Sequence, residues 1–111
     1  SGAPLSIFDG PTVQRDSFLT ESLFEEYDAL FAHAEQQVQA DAARLLRVRT
    51  ARLPVYFAGL TLGYGAREKR LQMLTSFART VRETGLEMVE EWRVTADRFV
   101  TDMAAKLALE A

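Results

Sequence analysis

The stretch Asp41–Gly63, DAARLLRVRTARLPVYFAGLTLG, decides how the rest of the chain is read. At about 100° per residue, Ala42, Leu45, Leu46, Leu53 and Tyr56 fall on one side of a helix, with Arg49 projecting into the middle of that apolar arc and Arg52 at its edge. A buried guanidinium without acceptors would cost several kcal/mol. The pattern therefore predicts either an internal contact that satisfies the arginines or a contact to something outside this chain. Pro54 lies inside the same run, where it has no N–H and its ring crowds the carbonyl of Thr50, so a kink or a break is expected there. Arg44, Arg47, Arg49 and Arg52 spread over more than half of the helix circumference, which does not suit a surface that tracks phosphates. The plain structural reading is a central bundle helix, its arginine stems packed and their heads reaching solvent or acids on neighbouring helices.

Working outward, 111 residues suffice for one domain with its own core, and 48% apolar with 26% charged residues is ordinary globular composition. The absence of cysteine excludes disulfides, thiol chemistry and cysteine-based metal sites. A net charge of −3 and a pI near 5.1 argue against non-specific binding to nucleic acid or anionic membrane. No apolar run approaches the ~20 residues that span a bilayer. No signal-peptide pattern is present, Ser1-Gly2 reads as an expression remnant that displaces the natural start, and the compartment stays open.

Residues 1–19 lack helical period, carry Pro4 and Pro11, and place a turn at Asp9-Gly10-Pro11. With Leu5, Ile7 and Phe8 they predict an extended apolar arm lying against the bundle or a preceding domain. Four helices follow, at about 20–40, 41–62, 66–84 and 94–109. The first is capped by Thr20 or by Ser22, which with Glu25 fits a capping box, and its stripe is Leu23, Phe24, Tyr27, Leu30, Phe31, Ala34 and Val38. Asp41 caps the second, which packs antiparallel to the first so that acids face arginines. Gly59, Gly63 and Gly65 are read as its stop and turn. The third carries Leu71, Leu74, Phe77, Ala78 and Val81, with Gly85 just past its end and a solvated basic start at Arg67, Lys69 and Arg70. The fourth carries Ala96, Phe99, Val100, Met103 and Leu107, with Trp92 in line if the helix starts early. The fold class is all-α: a four-helix bundle-like domain with an extended N-terminal arm and a second helix kinked at Pro54.

No catalytic signature, phosphate loop or metal motif is found, and no cofactor is implied. His33 alone is a surface residue on this reading. Glu87, Glu90 and Glu91 are the residue type that glycosidases use, but read here as solvated.

Three stretches carry a resemblance: LSIFDGPT (Leu5 to Thr12), FLTESLFEEYDALFAHAEQQV (Phe18 to Val38) and RVRTARLPVYFAGL (Arg47 to Leu60). Together, and above all through Arg47-Val48 with Arg52-Leu53-Pro54, they resemble the C-terminal helical region of large bacterial glycoside-hydrolase-like proteins. That family is named for a domain of unknown function and has an α-glucuronidase-like arrangement around a TIM barrel. The resemblance implies a non-catalytic accessory domain that packs on a barrel absent from this chain, with Leu5, Ile7, Phe8, Arg47, Arg49 and Arg52 as candidate contacts. None of the barrel's catalytic positions has a counterpart here. The alternative is a stand-alone helical module for protein–protein interaction or dimerisation. In either case the expected partner is protein.

Overall fold

Thr20, rather than Ser22, starts the first helix: its side-chain oxygen accepts a hydrogen bond from the Leu23 amide at 3.1 Å. In the computed structural model, which describes residues 19–85 and 89–110, four helices are present among the described residues. They are α1 (Glu21–Gln37), α2 (Ala42–Leu62), α3 (Arg67–Glu83) and α4 (Glu90–Ala108). The arm with Leu5, Ile7 and Phe8 lies outside the described residues.

Asp41 caps α2 as expected, accepting from the Arg44 amide at 3.2 Å. Gly63 ends the helix in the left-handed region at φ 77°, where a Cβ would be strained. Gly59 is different. It sits inside α2, not at a stop, and the Phe24 ring of α1 occupies the space that a Cβ would need, 2.4 Å from Cε1. Pro54 does not break α2, which runs through it without interruption. The final helix begins at Glu90, earlier than expected, so Trp92 falls within its first turn and remains 44% exposed.

Each helix packs on the one before it. Leu53, Tyr56, Phe57 and Leu60 from α2 meet Met73, Leu74, Phe77 and Val81 from α3 and Ala96, Met103 and Leu107 from α4. Phe99 joins α4 to both neighbours, its ring 4.7 Å from Phe57 and 5.4 Å from Phe77. The apolar arc of α2 thus lies further along the chain than its periodicity suggested. Ala42 is exposed, and the buried run is centred on residues 52–60. On α1 only Phe24 is fully buried; Tyr27 and Leu30 of the expected stripe are 44% and 65% exposed.

Candidate functional site

The strongest concentration of buried charge lies where α1, α2 and α3 meet. Asp28 and Glu35 stand two helical turns apart on the inner face of α1, and Arg49 and Arg52 stand one turn apart on α2. Because the two helices run antiparallel, these pairs oppose one another. Arg52 donates through Nη2 to Asp28 Oδ1 at 2.6 Å and through Nη1 to Glu35. Its Nη2 also reaches the Asp28 backbone carbonyl at 3.3 Å. Arg49 Nε donates to Glu35 at 3.3 Å, and its Nη1 lies 3.9 Å from Glu83 of α3. Lys69 of α3 closes the other side, donating to Asp28 Oδ2 at 2.9 Å.

Burial grades these contacts. The side chains of Arg52 and Asp28 are 9% and 14% exposed, whereas that of Arg49 is 29% exposed. Sequence periodicity put Arg49 at the centre of the arc and Arg52 at its edge; the structure makes Arg52 the buried member. Its guanidinium also lies 4.7 Å from the centroid of the Tyr56 ring, a cation–π contact. Burial raises the Asp28 carboxyl, but hydrogen bonds from Lys69 and Arg52 outweigh it and hold the group below its ordinary value. Burial likewise opposes charge on Arg52, and its bonds to Asp28 and Glu35 overcome that and keep it firmly protonated. The Tyr56 phenol is pushed up, first by burial, with Arg52 pulling the other way.

A groove of about 250 Å³ opens beside this node, lined by Glu35, Gln36, Gln39, Leu45, Arg49 and Arg52. Its two arginines already face Glu35, so the charge there is spent on joining helices. Arg47, the remaining arginine of the motif, is exposed on α2 and does not join the node. His33 is exposed and contacts the Gln37 side chain at 3.4 Å. Glu90 and Glu91 are exposed in the first turn of α4, where Glu90 pairs with Arg93 at 2.6 Å; Glu87 lies outside the described residues. Among the described residues no cluster of three or more His, Cys, Asp or Glu side chains could hold a metal ion.

The basic start of α3 corrects an expectation, because these residues are engaged rather than simply solvated. Besides Lys69, Arg67 Nε donates to the Leu107 carbonyl at 2.8 Å, and Arg70 grips both oxygens of Glu110 at 2.6 and 2.8 Å. Cations there meet the C-terminal end of α4, whose free carbonyls and dipole favour them. The acids of the node were not singled out from sequence. The expected facing of α1 acids and α2 arginines is met by Asp28 and Glu35, and which acids pair follows from the offset between the two antiparallel helices. No protein-family model, no curated protein and no solved structure matches the chain.

Proposed function

We propose that this chain is a non-catalytic helical accessory domain that packs against a larger body of protein, the catalytic barrel of a carbohydrate-active, glycoside-hydrolase-like protein. The observation that carries the packing role is the outer face of α1, where Tyr27 and Leu30 stand 44% and 65% exposed one helical turn apart, with half-buried Leu23 and Ala34 in line. An apolar stripe at this spacing suits a helix laid against another protein surface. The ion-paired node behind it fixes α1 to α2 and α3, giving that stripe a firm backing. The nature of the body rests on the resemblance carried by Arg47, Val48, Arg52, Leu53 and Pro54. In this reading exposed Arg47 and the arm residues Leu5, Ile7 and Phe8 are further contacts.

The test has two arms. Incubated with aryl glycosides, α-glucuronides included, the isolated chain is expected to give no turnover above buffer. A rate abolished by Glu90→Gln or Glu91→Gln would overturn the proposal. In sedimentation equilibrium at low micromolar concentration the chain is expected to be a monomer; a tight dimer lost on Leu30→Asp would favour a self-associating module instead.

A further inference from the structure

Helix α1 joins the fold by different means from the other three. Phe24 is its one fully buried side chain, seated on Gly59 with its ring 5.7 Å from that of Tyr64. Helices α2, α3 and α4 share a continuous apolar core of Leu53, Phe57, Phe77, Ala96 and Leu107, with no carboxylate among them. Half-buried Leu19, Phe31 and Ala32 add to this, and the rest of the hold is charge at the centre of α1 and a rim of polar contacts at its start, where Tyr64 donates to the Leu19 carbonyl and the Gly65 amide to Glu21.

We propose that α1, held by the paired carboxylates Asp28 and Glu35, is an acid-sensitive latch, which undocks as one unit from a folded α2–α4 core when Asp28 loses its charge. The titratable and charged groups facing these two carboxylates are Arg49, Arg52 and Tyr56 from α2 and Lys69 and Glu83 from α3. Among the described residues α4 sends no charged group into this set. Protonation of Asp28 leaves Arg52, 9% exposed, with a neutral carboxyl in place of one of its two charged partners. Departure of α1 hydrates that guanidinium at the cost of the buried Phe24 contact and of the half-buried Leu19, Phe31 and Ala32. Unfolding the core would hydrate it too, but would also expose the aromatic contacts of Phe57, Phe77 and Phe99.

The sign follows from Asp28. Its carboxyl is held below the ordinary value of 3.8, so its contribution is complete above that pH and disappears as pH falls through the lower folded-state value. The latch therefore opens in the acid range, before the core does.

Residue-resolved amide hydrogen exchange on the full chain, from neutral pH to about pH 3 and corrected for intrinsic rates, tests this. Amides from Phe24 to Glu35 are expected to lose protection together, by at least about tenfold more than those of Phe77–Val81 and Ala96–Met103. The double variant Asp28→Asn/Glu35→Gln is expected to show the same selective loss already at neutral pH. Simultaneous loss of protection in all four helices as the natural chain is acidified would overturn the proposal. So would unchanged protection of α1 down to about pH 3, or a double variant that loses protection throughout.

Discussion

Arg52 of α2 donates to the Asp28 carboxylate of α1 at 2.6 Å, in a contact where the two side chains are only 9% and 14% exposed. Such a pair contributes little beyond what a well-packed apolar pair would. Removing one partner is costly, because the other is left buried and charged. After Arg52→Ala, Asp28 keeps Lys69 and Glu35 keeps Arg49, so the variant is expected to destabilise the fold by about 2–3 kcal/mol, less than for a fully uncompensated buried charge. Arg49→Ala removes a longer, more exposed contact and should cost about 1 kcal/mol. Urea unfolding of both variants checks the order; a larger loss for Arg49 would contradict the burial that separates them.

Gly59 gives a prediction whose sign is decided by geometry. Glycine to alanine inside a helix ordinarily gains about 1 kcal/mol. Here the new methyl would lie 2.4 Å from Phe24 Cε1, and the ring, itself 2% exposed, has little room to yield. Gly59→Ala is expected to destabilise by about 1–3 kcal/mol net. Phe24→Leu alone should destabilise as well, but combined with Gly59→Ala the two losses should sum to less than their parts. Strict additivity would mean that the ring and the glycine do not share the space.

At alkaline pH the sensitive group is Tyr56. Burial raises its phenol above the ordinary value of 10.0, against the pull of Arg52, so the neutral form belongs to the fold. A raised acid contributes stability that is complete below the unfolded value of 10.0 and is lost as pH rises through the folded one. The natural chain should thus lose stability above about pH 10 more steeply than Tyr56→Phe, which has no phenol to ionise. Parallel melting curves for the two between about pH 8 and pH 11 would show that Tyr56 ionises without leaving its site.

How far the sequence spoke depended on whether a feature was local. Asp41 as a cap and Gly63 as a stop are written in adjacent residues, and the structure keeps both. The periodicities of α3 and α4 likewise identified Phe77, Val81, Ala96 and Leu107 as core. Helix α1 was misread because its apolar residues cover more of its circumference than its neighbours do. Leu23, Phe24, Tyr27, Leu30 and Phe31 all look inward until the position of α2 is known, and then Tyr27 and Leu30 face out. Gly59 looked like a stop because its true reason, Phe24, lies 35 residues away in the chain. The node was half legible. Arginines on an apolar face demanded acids, but which acids depended on the offset between two antiparallel helices, and which arginine was buried depended on where the arc of α2 ended.

Pro54 leaves a question that stability can answer. It is exposed, it supplies no N–H to the Thr50 carbonyl, and yet α2 continues through it. In a peptide helix proline costs about 3 kcal/mol against alanine. Pro54→Ala restores a donor for the Thr50 carbonyl and is expected to stabilise by about 1–3 kcal/mol. At about 4–8 °C per kcal/mol for a domain of this size, thermal unfolding resolves the change easily. The informative alternative is a fall in Tm. Arg52 and Leu53, the two residues just before the proline, are among the most buried of α2. Loss of stability on restoring the hydrogen bond would mean that the backbone geometry imposed by Pro54 is what sets Arg52 between Asp28 and Glu35 while Leu53 enters the core.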